Sequence, residues 1–196
     1  EPASSSSGSN GSSSSHQWTD QQVKLSVQSG AAKTGGRRRL ASDLYKIMHK
    51  QEQPLALGFE LEPVDEDQLD SWRLKLFDFD EDSQLHRDMQ LLGLRHIELN
   101  MSFPDTYPFE PPFVRVVSPR FAAQTGFVIG GALCMELLTP GGWNPCYDPE
   151  SVIVSIRAMM VHGKGRLEAA VRVESEQQRK RARKKEGGGE GEKEEQ

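Results

Sequence analysis

Tyr107-Pro108-Phe109-Glu110-Pro111-Pro112-Phe113-Val114-Arg115-Val116-Val117 is the stretch on which the fold turns. Prolines 108, 111 and 112 each remove a backbone donor and fix φ, so 107–112 is neither a helix interior nor a central strand and must be a turn. The valine-rich run 113–117 leaves that turn as a strand. Upstream, Ile97, Leu99, Met101 and Phe103 alternate with Glu98, Asn100 and Ser102, the period-two pattern of a strand with one buried face. A Pro-dense turn between two such strands predicts an antiparallel pair.

Further upstream, Trp72, Leu74 and Leu76 alternate with Arg73 and Lys75. After Pro54, Leu55, Leu57, Phe59 and Leu61 do the same with small or polar neighbours. These runs add two strands, giving a four-stranded antiparallel meander. Leu85, Met89 and Leu92 stand at helical spacing, so 80–92 is read as a short helical insert. In front of the sheet, Leu40, Leu44, Ile47 and Met48 form the i, i+4, i+7, i+8 stripe of an amphipathic helix over 37–50. Beyond 113–117 a long loop leads to Cys134.

The next helix is signalled by Asp148 as N-cap, Pro149 at the first helical position and Glu150 at the positive end of the dipole. Val152, Ile153, Ile156, Met159 and Met160 are its expected buried face, and Gly163 its stop. Leu167, Ala170 and Val171 begin a last helix running toward the basic tail. The fold class is α+β, one antiparallel sheet with helices packed around it.

Only part of the 196 residues can build that core. Hydrophobic residues make up 35% of the chain, and the mean hydropathy of -0.63 is low for a wholly globular protein. Nine of the first fifteen residues are serine, and a stretch without apolar periodicity cannot offset the entropy of ordering it. Residues 1–36 are expected to be a disordered tail, 37–173 the domain, and 174–196 a charged tail, helical at its start and then disordered.

Two cysteines cannot make a disulfide framework for a domain of this size, and no secretory signal pattern opens the sequence. A reducing, cytoplasmic or nuclear setting is expected, although the chain starts at Glu1 rather than Met and a preceding segment stays open. No apolar run is long enough for a membrane span, and no His spacing suggests a metal site with the cysteines. The net charge of -5 hides opposed blocks: Arg37, Arg38 and Arg39 at one boundary, and six basic residues in 179–185 at the other. For the second block a solvated helix end ranks first, nuclear import second and nucleic-acid contact last, because an acidic run follows it at 190–195.

Taken together, Tyr107-Pro108-Phe109-Glu110-Pro111-Pro112, then a strand and a long loop, then Cys134-Met135-Glu136-Leu137-Leu138, then Trp143-Asn144-Pro145 and a helix, resemble the ubiquitin-conjugating fold. The order and spacing of the landmarks are far more specific than any one of them. Residues 111–117, Gly130-Gly131-Ala132-Leu133-Cys134-Met135-Glu136-Leu137-Leu138 and Gly163-Lys164-Gly165-Arg166 look most like the divergent Q-type branch. In one place the pattern departs. Most family members carry His-Pro-Asn shortly before the cysteine, and here Gln124-Thr125-Gly126 stands in that stretch.

The resemblance implies an enzyme that holds ubiquitin as a thioester on Cys134 and passes it to a substrate lysine or to a ligase. ATP would be spent upstream by the activating enzyme, with no cofactor bound here. Gly130 and Gly131 are candidates for an oxyanion site or for a groove taking the ubiquitin tail. Glu136 could orient the incoming lysine or draw its proton, although a strand-edge carboxylate ranks somewhat ahead of that reading. Phe109 and Pro145 match the family's two ligase-contacting loops, while Arg37, Arg38, Arg39 and Lys46 match the surface for the activating enzyme. The competing reading of Cys134 is a buried core thiol. The competing reading of the whole chain is a non-catalytic adaptor of the same fold that binds ubiquitin or a partner.

Overall fold

The computed structural model describes residues 35–50, 57–65 and 69–186. The expectations for the Ser-rich start, for Leu55 and for 187–196 lie outside these residues. The elements in chain order are helix α1 (Gly35–Lys50), strands β1 (Phe59–Pro63) and β2 (Ser71–Leu76), and helix α2 (Gln84–Leu92). Strands β3 (Ile97–Ser102), β4 (Phe113–Ser118), β5 (Val128–Ile129) and β6 (Ala132–Leu133) follow, then a 3-10 turn (Glu136–Leu138) and helices α3 (Pro149–His162) and α4 (Glu168–Glu186).

The strands form one antiparallel sheet in the order β1-β2-β3-β4-β6-β5. The expected meander is its first four strands, and the correction is two more. β5 and β6 make a hairpin that closes the sheet beside β4. Neither is longer than two residues, too short for alternation to register in sequence.

Register follows from burial. Leu61 pairs with Leu74, and Leu74 with Leu99, so leucines line up across three strands on the inner face. A slip of one residue would put all three in solvent. On the outer face Glu62 and Glu98 flank Arg73, and Glu60 bonds Lys75 at 3.2 Å. Such exposed pairs contribute roughly 1 kcal/mol or less each, so they favour the register without determining it.

Against the inner face pack Leu40, Leu44 and Ile47 of α1, Leu85 and Met89 of α2, and Val152, Ile153, Ile156 and Met160 of α3, all in one buried cluster. α2 starts where the Ser83 hydroxyl accepts from the His86 N–H and ends at Gly93 in the left-handed region. α3 starts where the Asp148 carboxylate accepts from the Ser151 N–H at 3.0 Å, with Pro149 in its first turn. Gly163 ends α3 for a reason other than a left-handed cap, since its φ is -73°. A Cβ there would lie 2.7 Å from the Phe127 ring and 3.1 Å from Gly126 Cα, so the glycine permits a close approach between the end of α3 and the loop before β5.

A buried carboxylate joins α2 to α4. Asp88, 1% exposed, accepts 2.8 Å bonds from Arg166 Nε and from the Leu167 N–H. Arg166 also bonds Glu174 at 2.8 Å, nearly two turns into α4. These bonds hold its guanidinium still more firmly in the charged form, against the opposing effect of burial.

Candidate active site

Cys134 is exposed, and the reason is local. Leu133 before it and Met135 after it are both buried, and Met135 has extended backbone. Alternation therefore turns the side chain between them outward. The Cys134 N–H donates to the Phe127 carbonyl at 2.8 Å, so the position is fixed by the hairpin even though the sulfur faces solvent. A packed core thiol is not what the structure contains.

Gly130 and Gly131 form the two-residue turn of the β5–β6 hairpin, with φ of 58° and 90°. Left-handed backbone at both central residues is what a tight hairpin of this twist requires, which accounts for both glycines. The two strand residues Ala132 and Leu133 separate Gly131 from Cys134, three steps along extended backbone and a rise of roughly 10 Å. The turn and the thiol thus stand at opposite ends of β6.

The loop before the hairpin is fastened to the turn between α3 and α4. Gly126 N–H donates to the Gly163 carbonyl at 2.9 Å, Ala122 N–H to the Arg166 carbonyl at 2.8 Å, and Phe121 bridges Leu167. Thr125 accepts from the Arg166 N–H at 3.1 Å through its hydroxyl and donates to the Ala122 carbonyl at 2.9 Å. Residues 124–126 are thus tied by side chain and backbone to 163–166. Gln124 and Phe127 adopt positive φ of 61° and 59°, a conformation that costs an ordinary residue on the order of 1 kcal/mol or more. None of this was readable from sequence, because the partners lie some forty residues apart.

Glu136 opens the 3-10 turn two residues beyond the thiol, with its side chain exposed. Its carbonyl accepts from the Thr139 N–H at 2.9 Å and from the Thr139 hydroxyl at 2.7 Å. Gly142 folds back onto it so closely that a Cβ would lie 2.2 Å from the Glu136 carbonyl oxygen. Trp143 then reaches across, its indole N–H donating to the Pro108 carbonyl at 2.7 Å. That bond brings the two expected ligase loops together: Phe109, 79% exposed, on one, and half-buried Pro145 on the other.

The cations of α1 divide into two kinds. Arg38 is exposed, and Arg37 lies 4.0 Å from Asp105 with half its side chain in solvent. Arg39 and Lys46 both reach Asp43, a carboxylate 4% exposed, at 2.7 and 3.5 Å. The bond to Asp43 raises the Arg39 pKa, with burial opposing it. Arg39 also donates to the Tyr147 carbonyl at 3.4 Å, connecting α1 to the loop after Trp143. Among the described residues no cluster of three or more His, Cys, Asp or Glu side chains is arranged to hold a metal ion, and no described helix is long and apolar enough to cross a membrane.

Residues 39–186 match the family model for the ubiquitin-conjugating enzyme. The chain belongs to that family. Its α+β architecture is the ubiquitin-conjugating fold, and its curated relatives connect it to the Q branch. It is 51% identical over 107 residues to "Ubiquitin-conjugating enzyme E2 Q1" of Homo sapiens, an alignment covering 52% of this chain and 25% of that protein. A second human relative, named as Q-like, is 48% identical over 108 residues, 55% of this chain and 65% of that protein. "Ubiquitin-conjugating enzyme E2 25" of Caenorhabditis elegans is 45% identical over 114 residues, 56% of this chain and 28% of its own length. The chain therefore spans between a quarter and two thirds of the length of these relatives. Among solved structures, human "Ubiquitin-conjugating enzyme E2 G1" superposes with a TM-score of 0.48 at 19% identity, covering 62% of this chain and 90% of that one.

Proposed function

We propose that this ubiquitin-conjugating domain is catalytically active, accepting ubiquitin from an activating enzyme as a thioester on Cys134 and transferring it to a substrate amine or to a ligase. The observation that carries this reading is the outward-facing thiol of Cys134 on a backbone pinned to Phe127. A nucleophile that must meet two macromolecules in turn has to be both accessible and fixed in place.

In the first step the Cys134 thiolate attacks the carbonyl of the thioester carried by the activating enzyme. A new carbon–sulfur bond forms, the old one breaks, and the leaving thiolate stays on the activating enzyme. In the second step an amine attacks the same carbonyl, an amide bond forms, and the Cys134 sulfur departs while the amine proton is lost to solvent or a nearby base. ATP is consumed upstream, so the domain itself needs no cofactor. Glu136 stands close enough in sequence to influence the incoming amine. The exposed cations Arg37, Arg38 and Lys46 are the part of α1 open to the activating enzyme, and the joined Phe109 and Pro145 loops are open to a ligase. The reducing cytoplasm or nucleus is the setting in which such a thiol persists.

The test is loading: activating enzyme, ATP and ubiquitin should give a reductant-sensitive adduct. Cys134→Ser should give a reductant-resistant ester, Cys134→Ala nothing, and Cys146→Ser a normal adduct. The absence of His-Pro-Asn favours a second reading, a non-catalytic adaptor. A folded wild-type chain that forms no adduct yet binds ubiquitin would establish it.

A further inference from the structure

From its sequence the basic block 179–185 looks like a solvated helix end, but the structure shows how it is displayed. α4 continues without interruption to Glu186, and 175–184 are exposed along its length. At 1.5 Å per residue this is a rod of roughly 15 Å standing clear of the domain. With about 100° between successive residues, Arg179, Arg183, Lys180 and Lys184 occupy an arc of about 140°, and Arg181 lies on another flank. Arg179 with Arg183 and Lys180 with Lys184 are like charges one turn apart, pairs that repel within the helix. Cations near a helix C-terminus suit its dipole, which offsets part of that repulsion. The rest would be relieved by a polyanion.

We propose that the C-terminal half of α4 binds the phosphate backbone of duplex DNA, independently of the thioester chemistry at Cys134. Duplex DNA fits better than a membrane or an acidic protein segment. In 179–185 the single uncharged residue is Ala182, so there is no apolar face to enter a bilayer and no aromatic or aliphatic anchor of the kind protein interfaces use. Cations on more than one flank suit a helix lying in a major groove about 12 Å wide, where phosphates stand on both sides. The acidic stretch at 190–195 remains in the molecule tested.

The experiment is fluorescence anisotropy of a labelled 20-base-pair DNA titrated with the full chain at several salt concentrations, with polyglutamate as a second labelled probe. Four or more phosphate contacts predict a log–log salt slope of about -3.6 or steeper. Replacing Arg179, Lys180, Arg183 and Lys184 together by glutamine, a good helix former, should weaken binding at least tenfold at low salt and flatten the slope by about 3.6. Circular dichroism of that variant confirms that the helix is kept. No binding, binding unchanged in the quadruple variant, or tighter binding to polyglutamate than to DNA would each overturn the proposal.

Discussion

A thiol on the surface contributes nothing to the core, so Cys134→Ser should leave the denaturation midpoint within about 0.5 kcal/mol of wild type even though it changes the chemistry. A drop of several kcal/mol by urea titration would mean the side chain packs, against the exposure on which the enzymatic reading rests. The opposite holds at Asp88. Its carboxylate accepts from both Arg166 and the Leu167 N–H while almost wholly buried, so Asp88→Ala leaves that backbone donor without its acceptor and the Arg166 guanidinium with Glu174 alone, and should cost about 3 kcal/mol. Denaturant unfolding of the two variants side by side separates a residue kept for chemistry from one kept for structure. Sequence reading found the first, because Cys134 sits among landmarks of fixed order. It passed over the second, because an aspartate in a charged segment resembles any solvated acid, and its partners lie 78 and 79 positions away.

At the scale of elements, long periodic segments were legible and short ones were not. β2 and β3 alternate over six residues each, and the caps of α3 stand in the sequence as Asp148 and Pro149. β5 and β6 have two residues each, and their only sign is the Gly130-Gly131 pair. Those glycines attracted a catalytic reading, whereas the structure gives them a turn to make. The two roles can be separated. A Cβ on Gly130 would meet nothing within 4 Å, and asparagine tolerates positive φ, so Gly130→Asn should fold with stability close to wild type. Gly130→Val, branched at Cβ and held at φ 58°, should lose roughly 1–2 kcal/mol, visible as a lower melting temperature. Ubiquitin loading of Gly130→Asn should match wild type if the turn alone needs the glycine. Lost loading in that folded variant would assign the turn to close approach by the ubiquitin tail.

Across the whole molecule, Tyr107 is where the separate parts meet. Its ring stacks edge-on against Phe103, which lies against Trp72 in the core, and on its other side it approaches Trp143, which meets Tyr147. Its carbonyl lies so near the start of α1 that a Cβ on Gly36 would fall 2.0 Å from the oxygen. Sequence placed Tyr107 in a turn and gave no sign of this convergence, since α1, the sheet and the Trp143 loop come from three distant stretches. The Tyr107 hydroxyl is buried and, among the described residues, finds no hydrogen-bond partner. Burial, with the nearby Asp43 charge adding and Arg39 opposing, raises its pKa well above the usual tyrosine value. In the unfolded chain the same phenol ionises near pH 10. Between those two pKa values the folded state keeps a proton that the unfolded state has released, so stability must fall as pH rises, by up to about 1.4 kcal/mol per pH unit. Below pH 10 both states are neutral and the group contributes no pH dependence. Tyr107→Phe removes the ionisation and also a hydroxyl without a hydrogen-bond partner among the described residues, so at pH 8 the variant should be at least as stable as wild type. Guanidinium midpoints measured from pH 8 to 11 should then diverge above pH 10 in favour of the variant, because other titrating groups act on both proteins alike. Parallel curves through pH 11 would mean that the phenol ionises as readily in the fold as outside it, and that the junction of sheet, helix and loops is open to water.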